Sequence, residues 1–134
     1  MSVTKSEVLG LQASEDIVRA RQAVRAWMKE QGFSLVDQTK MVTAASELAR
    51  NAMDHGGGGT MRMEALVDGG RRGIRLVFED HGPGIPDMAL AMQDGFSTVG
   101  GLGLGLGGAK RLVNEFEIHS QPGEGTRVSV TRWK

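Results

Sequence analysis

Hydrophobic positions recur at helical spacing in two stretches near the start of the chain. Ile17, Val18, Ala20, Val24, Trp27 and Met28 share one side of a helix that opens with an N-cap in Ser14-Glu15-Asp16 and stops at Gly32. From Leu35 to about Asp54 the apolar side is supplied by Val36, Met41, Val42, Ala45, Leu48, Ala49 and Ala52, and Gly56 ends the run. A short strand is predicted ahead of both, over Val8–Leu11. Behind them the period changes. Thr60–Val67 and Gly73–Phe78 read as two strands of a hairpin joined at Asp68-Gly69-Gly70. A loop from Glu79 to Pro86, a short helix over Met88–Met92 and a glycine tract follow. A third helix is expected near Leu106–Glu115, then strands Phe116–Ser120 and Thr126–Trp133 around Pro122-Gly123-Glu124-Gly125. The order β-α-α-β-β-(α)-loop-α-β-β contains hairpins and few alternating βα units. It predicts an α+β fold, a two-layer sandwich with helices on one face of a mostly antiparallel sheet.

Length and charge narrow the picture. The 134 residues fit a single domain, residues 1–134, with no repeat and no linker. Sixteen Lys and Arg balance sixteen Asp and Glu, so broad nucleic-acid binding, which needs surplus positive charge, is not expected. Without cysteine there is no disulfide framework, no thiolate nucleophile and no Cys-based zinc site. No apolar run approaches the roughly 20 residues of a membrane span, so a cytoplasmic protein without membrane contact is the expectation. Val24 and Trp27 are the residues through which self-association along the first helix would run. The methionines at 53, 61, 63, 88 and 92 read as core filling.

Glycine is the one strong compositional deviation. The 20 glycines concentrate in Gly56–Gly59 and between Gly95 and Gly108, with Gly84 just upstream. A glycine-rich segment lets backbone N–H groups approach a ligand, and one that opens a helix suits phosphate. Gly103-x-Gly105-x-x-Gly108 matches a dinucleotide fingerprint, but no apolar strand precedes it; no Gly-Lys-Ser/Thr exists for a Walker A loop. Elsewhere Glu47 and Asn51 stand four apart on the second helix. They put a carboxylate and an amide oxygen on one face, a pairing that suits Mg²⁺ with its retained waters. Asp80 ends an apolar strand, where it can accept from an exocyclic amine while Gly82 and Gly84 leave room for a planar ring. His81 reads as an exposed loop residue. Nothing supports a hydrolytic zinc site or an acyl-transfer triad.

Taken in order, these segments resemble the Bergerat-fold ATPases, the group shared by gyrase, Hsp90, MutL and the histidine-kinase catalytic domain. Glu47-Leu48-Ala49-Arg50-Asn51 resembles the N box, Asp80-x-Gly82-x-Gly84 the G1 box, Gly101–Gly108 the G2 lid, and Gly123-Glu124-Gly125-Thr126 the last nucleotide-contacting segment. Asp16-Ile17-Val18-x-Ala20-Arg21-Gln22, Ser46–Asn51, Glu79–Asp87 and Asp94–Gly103 further resemble the RsbT-type switch kinases of the anti-sigma-factor kinase group. The resemblance implies an ATP-dependent serine/threonine kinase with ATP and Mg²⁺ as cofactors. Its implied substrate is a STAS-domain antagonist, and after release it would activate a PP2C-type phosphatase. A sigma factor is the partner implied for the sister anti-sigma kinases, which His55 resembles, and an ATP-dependent binding module without transfer is the reading from another class. By position, Glu47 is the implied general base and Asn51 the Mg²⁺ ligand. Asp80 is implied to bond the adenine amino group, with Gly82, Gly84 and Thr126 beside it. Gly101, Gly103, Gly105, Gly107 and Gly108 form the implied lid, and Lys110 with Arg111 would add positive charge near the γ-phosphate. Gly107 stands where relatives often carry proline.

Overall fold

A computed structural model describes residues 1–85, 92 and 105–134. Among them the order is β1 (Ser2–Leu11), α1 (Ser14–Glu30), α2 (Leu35–Asp54), β2 (Gly59–Asp68), β3 (Arg71–Asp80), α3 (Gly105–Lys110), β4 (Glu115–Gln121) and β5 (Gly125–Trp133). The strands form one sheet in the order β1-β2-β3-β5-β4, each neighbouring pair antiparallel. The helices cover one face, which is the α+β sandwich that the hydrophobic pattern predicts.

The sheet's period of two sorts its residues. Met61, Met63 and Ala65 on β2, Ile74, Leu76 and Phe78 on β3 and Val128 and Val130 on β5 point toward the helices and are buried. Against them α1 lays Ala20, Val24, Trp27 and Met28, and α2 lays Met41, Ala44, Ala45, Leu48, Ala49 and Ala52. Val24 is therefore wholly buried, and Trp27 lies in the core with Lys5 of β1 over its ring at 4.3 Å. An outward pair for self-association is ruled out, because their burial against the sheet outweighs exposure of one helix face. Met61 and Met63 fill the core as expected, and Met53 and Met92 pack at its margin.

Three boundaries differ from the pattern, each for a local reason. Strand β1 begins at Ser2 rather than Val8, since an edge strand exposed on both faces is held by its ladder to β2 and shows no apolar alternation. Helix α3 ends at Lys110 instead of reaching Glu115. Leu112 and Val113 donate back only three residues, and the Asn114 N–H goes to the Thr131 carbonyl of β5 at 2.9 Å, so the sheet draws the chain out of the helix. The glycines at 105, 107 and 108 thus lie within buried α3, packed against α2, rather than in a loop. The short helix expected over Met88–Met92 falls, Met92 apart, outside the described residues.

The third boundary is the start of α1. Its N-cap is Ala13, which has no capping oxygen, and the Asp16 carboxylate reaches back instead to accept the Gln12 and Ala13 N–H groups at 2.8 and 3.0 Å. Those two bonds, helped by the Arg19 guanidinium, hold the Asp16 pKa down to about 2 from 3.8. A depressed carboxylate contributes stability above its unfolded pKa and loses it as pH falls through the folded value. Wild type is accordingly expected to be more stable than Asp16→Asn at pH 5, with the gap closing between pH 4 and pH 2. Urea unfolding across that range checks it, and a gap independent of pH would assign the cap elsewhere.

Candidate nucleotide site

At one end of the sheet the apolar rows give way to a polar one. In register, Met61, Phe78, Val128 and Ile118 lie side by side across β2, β3, β5 and β4. Two residues further along the strands the row reads Gly59, Asp80, Thr126 and Ser120. It faces the helices as the apolar rows do. Directly opposed residues on antiparallel strands have Cβ atoms about 5 Å apart, so Asp80 and Thr126 are immediate neighbours.

Glycines let the surrounding backbone close on this row. The turn that leaves α2 lies on Asp80: a Cβ added at Gly56 would come within 2.2 Å of Asp80 Cγ. Gly82 sits on that same turn, where its Cβ would meet Gly56 Cα at 2.5 Å. Gly84 approaches the Gln121 carbonyl of the β4–β5 hairpin with φ +81°. The loop is fixed by three further bonds. Asp80 Oδ1 accepts the Gly82 N–H at 3.0 Å, Ser120 Oγ accepts the Ile85 N–H at 2.8 Å, and the Gly123 N–H donates to the Pro83 carbonyl at 2.8 Å. Asp80 Oδ2 has no hydrogen-bond partner among the described residues. A cavity of about 280 Å³ opens at this end, its wall shared by Asp80, Gly125 and Thr126 with Glu79, His119 and Arg127 from the other face. His81 is exposed.

Helix α2 carries the other candidates. Ser34 caps its start by accepting the Asp37 N–H at 3.1 Å, and Arg132 of β5 pairs with Asp37 at 2.7 Å, which ties that end to the sheet. Its other end rests on Asp80, so the helix is held at both ends. Glu47 and Asn51 project from its C-terminal half one turn apart and both are half-buried. The Glu47 side chain is 13% exposed, and its Oε1 pairs with Arg50 at 3.1 Å. Among the described residues no group of three or more His, Asp or Glu comes together around a metal position. One amide and one carboxylate oxygen fit Mg²⁺, an ion that keeps several waters and takes phosphate oxygens for the rest.

The structure brings Asp80, Gly82, Gly84 and Thr126 together, and sets Glu47 and Asn51 on the helix that abuts them. Lys110 is exposed at the end of α3, and Gly105, Gly107 and Gly108 are buried within it. Gly101 and Gly103 lie outside the described residues. Sequence reasoning passes over Gly56 and Ser120. The signal for Ser120 is faint: Phe116 and Ile118 alternate inward, and a hydroxyl occupies the next inward place.

Residues 36–134 match the family of histidine kinase-, DNA gyrase B- and HSP90-like ATPases, a stretch that contains every one of these residues. The chain belongs to that family. It is 51% identical over 118 residues to the serine/threonine-protein kinase RsbT of Bacillus subtilis (strain 168), covering 88% of this chain and 89% of RsbT. Within the family it is an ATP-dependent protein serine/threonine kinase of the RsbT type. It is also 30% identical over 129 residues to the anti-sigma F factor of Thermoanaerobacter sp. (strain X514), covering 92% of this chain and 89% of that one. Among solved structures, the RsbU and RsbW domains of Rv1364c from Mycobacterium tuberculosis share the fold, with a TM-score of 0.63 and 24% identity over 96% of this chain and 32% of that longer one. No helix among the described residues is long and apolar enough to cross a membrane.

Proposed function

We propose that this kinase transfers the γ-phosphate of ATP to a serine or threonine of a STAS-domain antagonist in a partner-switching cascade, and on release activates a PP2C-type phosphatase. The observation that carries the reading is the joint placement of two devices. A carboxylate and an amide stand one turn apart on α2, and the end of that helix is packed on an acceptor row, Asp80 and Thr126. Identity to RsbT over most of both chains supports the serine/threonine specificity.

Each residue has a stated task. Asp80 accepts from the adenine amino group, and Thr126 completes that wall; the space that Gly82 and Gly84 leave is taken by the backbone of Gly56 and Gln121 rather than by the ring, so these glycines act by holding the loop against Asp80. Asn51 holds Mg²⁺ through its amide oxygen; the ion, when bound, neutralises charge on the phosphates. Glu47 accepts the proton of the acceptor hydroxyl as that oxygen bonds to the γ-phosphorus, while the bond from the γ-phosphorus to the β–γ bridging oxygen breaks and ADP leaves. Phosphoryl transfer needs positioning and charge neutralisation more than covalent catalysis, so this small set suffices. Lys110, exposed at the end of α3, adds positive charge toward the phosphates.

Likeness to anti-sigma F factors favours one second reading, in which the same site also serves a chain that grips a sigma factor. One experiment separates them. The protein is mixed with γ-labelled ATP, Mg²⁺ and the STAS-domain protein encoded nearest to it, with sigma-factor capture assayed in parallel. A labelled serine or threonine is expected. ATP-dependent binding without label would mean a binding module, and capture of the sigma factor would move the chain to the second reading.

A further inference from the structure

The hydroxyl of Ser120 carries three contacts, and counting its protons fixes the polarity of the wall beside it. A serine hydroxyl has one hydrogen to give and two lone pairs to receive. Ser120 Oγ accepts the Ile85 N–H at 2.8 Å, which uses one lone pair. It lies 3.2 Å from the Gly125 carbonyl, a group that only accepts, so the Ser120 hydrogen goes there. The third contact, Thr126 Oγ1 at 2.9 Å, is then satisfied only if Thr126 donates to the remaining lone pair of Ser120. Thr126 has no second hydrogen. Its Oγ1 therefore turns lone pairs alone toward Asp80, its register partner on β3, whose carboxylate also only accepts.

We infer that Ser120 is a positioning residue for base selection: by taking the Thr126 proton it makes the wall formed by Asp80 and Thr126 acceptor-only, and so selects a 6-aminopurine over a 6-oxopurine. An exocyclic amine brings two N–H donors to two acceptors. A 6-oxo group sets a third acceptor in the place of those donors, and its ring N1–H can satisfy only one of the two, so one wall acceptor and the oxo oxygen face each other unpaired. Ser120 touches no substrate, and acts through Thr126 and through the Ile85 and Gly125 backbone. The inference rests on the reading of Asp80 and Thr126 as the pair that faces adenine.

The test measures affinities for ATP and for inosine triphosphate, which differ in the 6-substituent and in the proton at the adjoining N1, by calorimetric titration with Mg²⁺. Wild type is expected to prefer ATP. Ser120→Ala frees the Thr126 hydroxyl to rotate and donate, so the ATP-to-ITP ratio should fall about tenfold, while Ser120→Thr should restore it. A merely structural loosening would weaken both nucleotides alike and leave the ratio where it was, and that result overturns the role of Ser120. Thr126→Val keeps the shape and removes the acceptor, so it serves if Ser120→Ala fails to fold. Its ratio should fall by a like factor, and an unchanged ratio again overturns the proposal. Wild type that binds both triphosphates equally would instead overturn the adenine-facing reading itself.

Discussion

Glu47→Ala is expected to lower phosphoryl transfer by about 10²- to 10⁴-fold, the range that a positioned general base contributes, while leaving Mg-ATP affinity within about twofold of wild type, a change of ~0.4 kcal/mol. The split follows from what each α2 residue does. Glu47 acts on the acceptor hydroxyl, which is absent from the binary complex with ATP, so its loss is felt only in the transition state. The fold should tolerate the change. The side chain's pair with Arg50 joins i and i+3 on a helix, and the Arg50 partner is 47% exposed, so loss of that pair costs only a few tenths of a kcal/mol, about 0.5 at most, and urea unfolding of the variant separates any further loss of stability from loss of transfer. Glu47→Gln sharpens the result. A glutamine keeps the shape and can still accept a hydrogen bond but cannot take the proton. If Glu47 is the base, Gln and Ala lose transfer equally; if it only orients the hydroxyl, Gln retains most of it. Asn51→Ala is the complementary change and should erode the part of ATP affinity that depends on Mg²⁺, leaving the Mg-free affinity alone. Initial rates with labelled ATP, paired with titrations in magnesium and in chelator, read both. Wild-type transfer by Glu47→Ala would remove the proposed base.

Much of this site could be read before any coordinates because its parts are local. Glu47 and Asn51 are four apart on the most strongly patterned helix in the chain, and helical spacing alone puts them on one face. Asp80 follows an apolar strand immediately, so its place at a strand end needed no tertiary knowledge. What escaped were residues whose meaning depends on register. Ser120 looks like any polar residue late in a strand until β4 is aligned on β5 and Thr126 is found opposite. Gly56 looks like a helix stop, which it is, and only the packing of α2 on β3 shows that its missing Cβ leaves room for Asp80. The end of α3 failed for the same reason. The apolar spacing of Ala109, Leu112 and Val113 is helical, yet the Thr131 carbonyl captures the Asn114 N–H and the sheet prevails.

The hairpin between β4 and β5 offers the sharpest test of how tightly the site is built, because two of its glycines share a backbone conformation and differ in surroundings. Gly123 has φ +79° and Gly125 φ +98°, both in the region that side chains avoid. An alanine at Gly123 would meet nothing within 4 Å, so it carries the backbone strain alone, about 1–2 kcal/mol. An alanine at Gly125 would carry like strain and also press its Cβ to 2.1 Å from the Asp80 carbonyl oxygen and 2.9 Å from His81 Cα. Neither neighbour is a flexible side-chain tip. The end of β3 must move, and Asp80 moves with it. Gly125→Ala is therefore expected to lose at least about 3 kcal/mol of stability, in the range of severe overpacking, and the protein that remains folded should bind ATP far more weakly than wild type. Gly123→Ala should lose about 1–2 kcal/mol and keep its ATP affinity. Urea unfolding and nucleotide titration on both variants decide it. Equal losses from the two would mean that β5 does not press on Asp80, and the acceptor row would have to be rebuilt without Thr126.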